Sequence, residues 1–200
     1  MREYELKFLA VEPEAVEAKL RVIGAAKEKE FSYTLRAFDF PGLPLAGRHA
    51  WIRLRTDGTE TTLAWKKRLG VSVNDGSVRD EGMEEVETAV GDFETMTIIL
   101  KNLGLIQKFH QEKKRIRYVK GDIEYDLDTW PLIPPYLEIE GPSEEAAEAA
   151  ARELGFDPSD AKVCSASQVY RVHGLEVNEY AFLGFEKQVK HAVPLEKVGT

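Results

Sequence analysis

Cysteine is almost absent from this chain of 200 residues, which contains only Cys164. A single cysteine excludes an intramolecular disulfide, and the sequence starts without an apolar, signal-like stretch. Both features favour a reducing, cytoplasmic setting. Long apolar runs are also missing, since no stretch approaches the ~20 residues that span a bilayer. We therefore expect no membrane partner.

The chain also lacks an excess of positive charge. The chain carries 27 Lys and Arg against 35 Asp and Glu, which gives a formal net charge of -8. Nucleic acids attract proteins mainly through basic patches, so a nucleic-acid partner is not expected. An anionic ligand would have to be bound by a local basic cluster, by a metal ion or by both. The length suits one core, and we expect residues 1–200 to form a single domain.

Alternation of charged and apolar residues is what the chain has in abundance. Glu3, Glu5 and Lys7 alternate with apolar neighbours, so a strand there would have one charged face and one apolar face. Six further segments show the same alternation, and their charges are grouped by sign. In chain order these groups are Arg53 and Arg55; Lys66; Glu85 and Glu87; Lys113, Arg115 and Arg117; Asp122, Glu124, Asp126 and Asp128; and Glu138 and Glu140.

Three helices are predicted among these strands from capping and breaker residues. They extend from Pro13 to Gly24, from Asp92 to Gly104 and from Ser143 to Gly155. Residues 69–82 are rich in glycine and are expected to form a long mobile loop over a site. The segment from residue 160 onward has no clear periodicity, and residues 169–172 fit either a strand or a helical turn.

The direction of the charged faces decides the shape of this α+β fold. If they pointed to bulk water, one open sheet would suffice. If they point at one another, the sheet must close into an eight-stranded antiparallel barrel, with a charged interior and helices packed on its apolar outside. We expect the closed barrel, because Phe8, Leu54 and Trp65 alternate with the charges. Trp51 and Trp65 are expected to pack on the outside, and Lys67 and Arg68 to be surface charges.

A charged interior limits the ligands that the barrel can hold. Roughly a dozen buried charges cost many kcal/mol unless each is paired or coordinates an ion. A polyphosphate with a divalent metal meets that need. Lys and Arg bind phosphate oxygens, whereas Asp and Glu supply the hard oxygen ligands that Mg²⁺ and Mn²⁺ prefer.

Six motifs occur in order along the chain. They are E-x-E-x-K from Glu3, L-R from Leu54, T-L-x-x-K ending at Lys66, E-x-E from Glu85, K-x-R from Lys113, and Asp128 followed ten residues later by E-x-E from Glu138. Together they resemble the CYTH superfamily, also called triphosphate tunnel metalloenzymes, over about residues 1–155. The resemblance implies an eight-stranded antiparallel tunnel that binds a triphosphate with a divalent metal, Mg²⁺ or Mn²⁺.

The resemblance also implies roles for individual residues. Asp128, Glu138 and Glu140 would hold one metal, and Glu3 and Glu5 a second that orients and acidifies the attacking water. The implied catalytic residues are Glu3, Glu5 and Lys66; the substrate-binding residues are Lys7, Arg53, Arg55, Lys66, Lys113, Arg115 and Arg117; and the metal ligands are Glu3, Glu5, Glu85, Glu87, Asp128, Glu138 and Glu140.

Members of the superfamily differ in reaction, so the resemblance leaves alternatives open. We expect a metal-dependent phosphohydrolase acting on tripolyphosphate, thiamine triphosphate or a nucleoside triphosphate. A class IV adenylate cyclase is the first alternative, although the His-Phe pair often found upstream in cyclases is missing, since only Met1 and Arg2 precede Glu3. A non-catalytic polyphosphate- or nucleotide-binding module is the second. A homodimer is open as well.

Overall fold

The computed structural model describes residues 2–74, 77–79 and 82–192; the side chains of residues 2, 3, 72–74 and 77–79 are outside that description. Twelve strands occur in these residues. In chain order they are β1 (Arg2–Phe8), β2 (Ala26–Asp39), β3 (Ala50–Thr56), β4 (Thr61–Arg68), β5 (Ser72–Asn74), β6 (Ser77–Arg79), β7 (Met83–Ala89), β8 (Ile106–Lys120), β9 (Ile123–Thr129), β10 (Tyr136–Gly141), β11 (Tyr180–Leu183) and β12 (Gln188–Lys190).

Four α-helices accompany the strands in the same residues: α1 (Pro13–Val22), α2 (Phe93–Asn102), α3 (Glu144–Glu153) and α4 (Ala166–Val172). The first three are the predicted ones. The carboxylate of Asp92 accepts a hydrogen bond from the Thr95 backbone N–H at 2.6 Å, and the Ser143 hydroxyl accepts one from Ala146 at 3.2 Å, as N-caps do. None of the helices described is long and apolar enough to cross a membrane.

Ten strands form one sheet in the order β12-β11-β8-β2-β3-β4-β7-β1-β10-β9, and β8 pairs with β9 as well. Neighbouring strands are antiparallel except for a single parallel pairing between β11 and β8. Within the part of the chain that the structure describes, β1 and β7 pair over only two residue pairs. The α+β class and the antiparallel sheet are confirmed. A closed eight-stranded barrel is not confirmed, because hydrogen bonds along so short a seam do not close the sheet.

The predicted loop at residues 69–82 contains a small hairpin. Strands β5 and β6 pair with each other in a separate two-stranded sheet. Residues 75, 76, 80 and 81 are outside the described part of the chain. The segment predicted as a long mobile loop therefore contains strands at residues 72–74 and 77–79, and its mobility and its position over a site stay predictions.

Helices cover the apolar face of the large sheet. Leu6, Phe8 and Leu137 pack in one buried cluster with residues of α1 and α3. Phe38 and Leu54 pack in a second cluster with Leu100 of α2. The residues that alternate with the charges thus form the core under the helices, as the sequence predicts. The charged face is left on the other side of the same strands.

Helix α4 packs at one end of the charged face. Its residues Val169 and Tyr170 share a buried cluster with Leu35 of β2 and Tyr136 of β10. The Tyr170 hydroxyl donates a hydrogen bond to the backbone carbonyl of Pro131 at 2.9 Å. Helix α4 is therefore tied to the sheet at the end where β2 finishes and β10 begins.

Candidate functional site

A cavity of about 830 Å³ lies against the charged face of the sheet. Its lining is basic, with ten Lys or Arg and six Glu, although the whole chain is acidic. A basic concavity in an acidic protein indicates an anionic ligand, because the local field and not the net charge acts at contact distance. The basic side chains are Lys7, Arg53, Arg55, Lys66, Arg68, Lys108, Lys113, Arg115, Arg117 and Arg171, and the acidic ones are Glu5, Glu85, Glu87, Glu124, Glu138 and Glu140.

Twelve of the fourteen predicted site residues line this cavity. Asp128 does not, since it is fully buried behind the wall. Glu3 belongs to β1, but its side chain is outside the described part, so its role stays a prediction. The twelve are Glu5, Lys7, Arg53, Arg55, Lys66, Glu85, Glu87, Lys113, Arg115, Arg117, Glu138 and Glu140.

Strand register brings these side chains together. Glu5 lies directly opposite Glu140, and Lys7 opposite Glu138. Lys66 lies opposite Glu85 in the same way. Directly opposed residues on antiparallel strands have Cβ atoms ~5 Å apart. Alternation along each strand and register between strands are therefore enough to place the charges on one surface.

Arg115 is the centre of the most buried ion-pair network. Its guanidinium binds Asp128 through two N–H groups, at 2.6 and 2.8 Å, and reaches Glu138 at 2.5 Å. It also pairs with Asp126. Burial alone would lower the pKa of Arg115, but these carboxylates raise it well above its ordinary value. Arg115 is therefore a fixed cation held in place by three acids.

Lys113 lies beside this network and is more easily discharged. Its ammonium is 2.5 Å from Asp128 and 5.0 Å from the ring centroid of Trp130. Burial and the neighbouring Arg115 lower the pKa of Lys113 to about 8. Asp128 acts in the opposite direction, because an opposite charge raises the pKa of a lysine.

A second ion-pair network lies on β3, β4 and β7. Arg53 reaches Glu85 at 3.1 Å and Glu87 at 3.0 Å, and Lys66 lies 2.6 Å from Glu85. Burial and the adjacent Arg53 lower the pKa of Arg55. These pairs are partly exposed, so they exchange partners at lower cost than the Arg115 network.

Carboxylates that could hold a metal are engaged with basic partners. Glu5 pairs with Lys7 and lies 3.8 Å from Arg68, and Glu138 lies 3.0 Å from Lys7. Among the side chains that the structure describes, no three His, Cys, Asp or Glu are grouped to hold a metal ion. The oxygen-only donor set suits Mg²⁺ or Mn²⁺ in chemistry. Glu5 and Glu140 are cross-strand neighbours, which puts two carboxylates on the same face of adjacent strands.

Two sequence predictions about this face were wrong. Trp51 lines the cavity and does not pack on the outside, because it has the same parity as Arg53 and lies opposite Lys66. Arg68 lines the cavity as well, since it is two residues from Lys66 and therefore on the same face of β4.

Arg117 could lie inside the barrel or at its mouth on sequence grounds. Its side chain lines the cavity and binds Asp126 at 2.7 Å.

Several lining residues were not predicted at all. Gln111 and Tyr136 share the parity of Lys113 and Glu138, so alternation could have identified them. Residues 165–168 and Arg171, in or next to α4, also line the cavity. No sequence signal identifies them, because their position depends on the packing of α4 against β2 and β10.

The family to which this chain belongs can be identified by comparison with known proteins. Residues 1–172 match the CYTH domain model. The chain belongs to the CYTH family. Comparison with curated proteins finds no match.

Several solved structures show the same fold at low sequence identity. A conserved hypothetical protein from Pyrococcus furiosus is 21% identical, with a TM-score of 0.69, and the match covers 84% of this chain and 99% of that one. A Vibrio parahaemolyticus protein described as a candidate adenylate cyclase is 16% identical, with a TM-score of 0.69 and coverages of 86% and 98%. A Hippeastrum protein described as a candidate adenylyl cyclase with a dominant triphosphatase activity is 16% identical, with a TM-score of 0.62 and coverages of 90% and 99%.

Proposed function

We propose that this CYTH protein is a divalent-metal-dependent triphosphatase. The observation that carries the proposal is the basic lining of one cavity in a chain with a formal net charge of -8. A triphosphate is a compact, multiply charged anion that such a lining suits. Family membership supports a reaction at phosphoanhydride bonds, and the Hippeastrum protein's described activity is consistent with it.

The proposal includes a sheet that encloses the substrate. Strand β8 pairs with β2 along one edge and with β9 along the C-terminal half of the other, which supports an eight-stranded tunnel with the charges inside. We propose one domain that contains this tunnel. Enclosure matters because ion pairing with phosphate is stronger where bulk water is excluded.

The existing ion pairs explain how substrate binding could release metal ligands. Arg53 and Lys7 now bind Glu87 and Glu138. Phosphate oxygens would replace these carboxylates as partners, because guanidinium and ammonium groups donate hydrogen bonds to phosphate as they do to carboxylate. The freed carboxylates of Glu5, Glu87 and Glu138 would then be available to a divalent ion. Such an ion, when bound, would neutralise phosphate charge and acidify a water molecule.

Phosphoryl transfer needs alignment and charge stabilisation more than covalent help. Arg53, Arg55 and Arg115 would hold the triphosphate in one register. Lys66 would lie near the transferred phosphoryl group, and Glu5 would accept the proton of the attacking water.

The test is phosphate release from tripolyphosphate, thiamine triphosphate and ATP, with and without Mg²⁺ or Mn²⁺. We expect release only with metal, and near-complete loss in Glu5→Gln, which keeps the shape but removes the charge. Glu84→Gln is the matched control, because Glu84 is exposed and does not line the cavity. Unchanged turnover in Glu5→Gln would refute the proposal. Cyclic AMP formation from ATP would instead indicate a cyclase, and tight binding with intact ligand would indicate a binding module.

A further inference from the structure

Uncharged side chains line the cavity where α4 packs against the sheet. Leu35 of β2, Tyr136 of β10 and Trp130 lie in the apolar cluster that holds α4, and all three also line the cavity. Gln111 lies directly opposite Leu35 in the sheet. This part of the wall therefore combines apolar packing with polar groups that carry no charge.

Gln111 is the most informative of these residues. Its side chain is 3% exposed, and its amide Nε2 has no hydrogen-bond partner in the described part of the protein. Buried polar groups are nearly always hydrogen-bonded, because burial removes water without replacing it. An unpaired, buried amide that faces a cavity points to a partner supplied from within that cavity.

Two further donors nearby are poorly satisfied. The hydroxyl of Tyr136 and the indole N–H of Trp130 are buried, and among the described residues their only hydrogen-bond contact is a poorly formed one with each other. Buried Tyr and Trp usually find a partner for these groups. One unpaired donor and two poorly paired ones therefore lie on one stretch of the cavity wall.

These donors lie close to Lys113, one of the residues proposed to bind phosphate. Gln111 stands two residues from Lys113 on the same face of β8, and the Lys113 ammonium is 5.0 Å from the ring of Trp130. A ligand whose phosphates reach Lys113 would thus place its next chemical group against the uncharged donors.

We infer that Gln111, Trp130 and Tyr136 form a subsite for an uncharged hydrogen-bond acceptor, such as a carbonyl oxygen or ring nitrogen, attached to the triphosphate. The inference rests on the proposed function and adds the substrate class, an organic triphosphate in place of inorganic tripolyphosphate. A phosphate oxygen suits this subsite less well than a neutral acceptor, because all three donors are uncharged and Glu138 and Asp128 lie close to Tyr136. A site built to hydrogen-bond a substrate group discriminates against substrates that lack it.

The experiment compares kcat/KM for ATP, thiamine triphosphate and tripolyphosphate in the full chain and in Gln111→Met, which keeps the length of the side chain but removes the donor. We expect the wild type to prefer one of the organic triphosphates. In Gln111→Met, kcat/KM for that compound should fall about tenfold, as expected when a site loses a hydrogen bond to its substrate, whereas kcat/KM for tripolyphosphate should change less than about twofold.

Gln107→Met is the matched control, since Gln107 is on the same strand and does not line the cavity. Tyr136→Phe, which removes only a hydroxyl, should shift selectivity in the same direction, and thermal unfolding of each variant checks that it is folded. Equal losses for all three substrates, or a wild-type preference for tripolyphosphate, would overturn the inference while leaving the proposed function standing. Release from none of the three would contradict both.

Discussion

The apolar face and the charged face of the sheet bury their side chains in different ways. On β9, Leu127 and Asp128 are neighbours and both are buried. Leu127 packs in an apolar cluster with residues of α1 and α3, whereas Asp128 is held by Arg115 and Lys113. The apolar face gains stability by excluding water. The charged face gains little stability, but its paired groups can exchange partners with a ligand.

The largest expected effect on stability comes from removing the cation at the centre of the charged face. Arg115→Met should destabilise the fold by about 3–5 kcal/mol, because it leaves Asp126, Asp128 and Glu138 without their shared cation. It should also abolish phosphate release. Denaturant unfolding and activity are the two measurements.

Lys114→Met is the control for that change. Lys114 is the exposed neighbour of Arg115 and points to the opposite side of β8, so its loss should change stability by less than about 1 kcal/mol. Equal effects of the two substitutions would contradict the difference between the faces.

A void created in the apolar face by mutation should lower stability strongly without changing the activity of the folded protein. Leu54 is fully buried under α2, and Leu54→Ala should cost about 2–5 kcal/mol of unfolding free energy. The folded fraction should keep the kcat of the wild type, since Leu54 does not line the cavity. Leu54→Met, which nearly conserves volume, should cost less than about 1.5 kcal/mol. A loss of kcat in the folded Leu54→Ala protein would show that the faces are not independent.

The effect that is smallest at neutral pH is a pH dependence of stability that arises outside the cavity. Burial and the adjacent Arg36 lower the pKa of His110 to about 4, against ~6.5 in an unfolded chain. The unfolded state therefore binds the proton more readily. The contribution of His110 is complete above pH 6.5 and is lost as the pH falls towards 4. Urea unfolding at several pH values measures the slope, which should flatten in His110→Phe; the same slope in both proteins would contradict this assignment.

Sequence alternation predicted much of the charged face because a strand has only two sides. Glu5, Arg53 and Glu138 follow from parity alone, once their segments are identified as strands. The same rule, applied consistently, would have placed Trp51 and Arg68 in the cavity as well. They were assigned to the outside on general expectations for tryptophan and for adjacent charges.

The remaining features depend on tertiary packing. Helix α4 is seven residues long and has no periodicity strong enough to predict it, and its place in the wall depends on contacts between Tyr170 and the segment after β9. The unpaired amide of Gln111 is likewise visible only when all its neighbours are known. Cytoplasmic location and a homodimer stay predictions.

The most direct test of the account is a crystal structure with bound tripolyphosphate and Mn²⁺ in the Glu5→Gln variant, which should bind without turnover. We predict one triphosphate inside the cavity, with its oxygens bound by Arg53 from β3 and by Arg115 from β8. A triphosphate on an outer surface, or Arg53 and Arg115 facing separate regions of solvent, would contradict the claim that the charged faces of different strands share one interior.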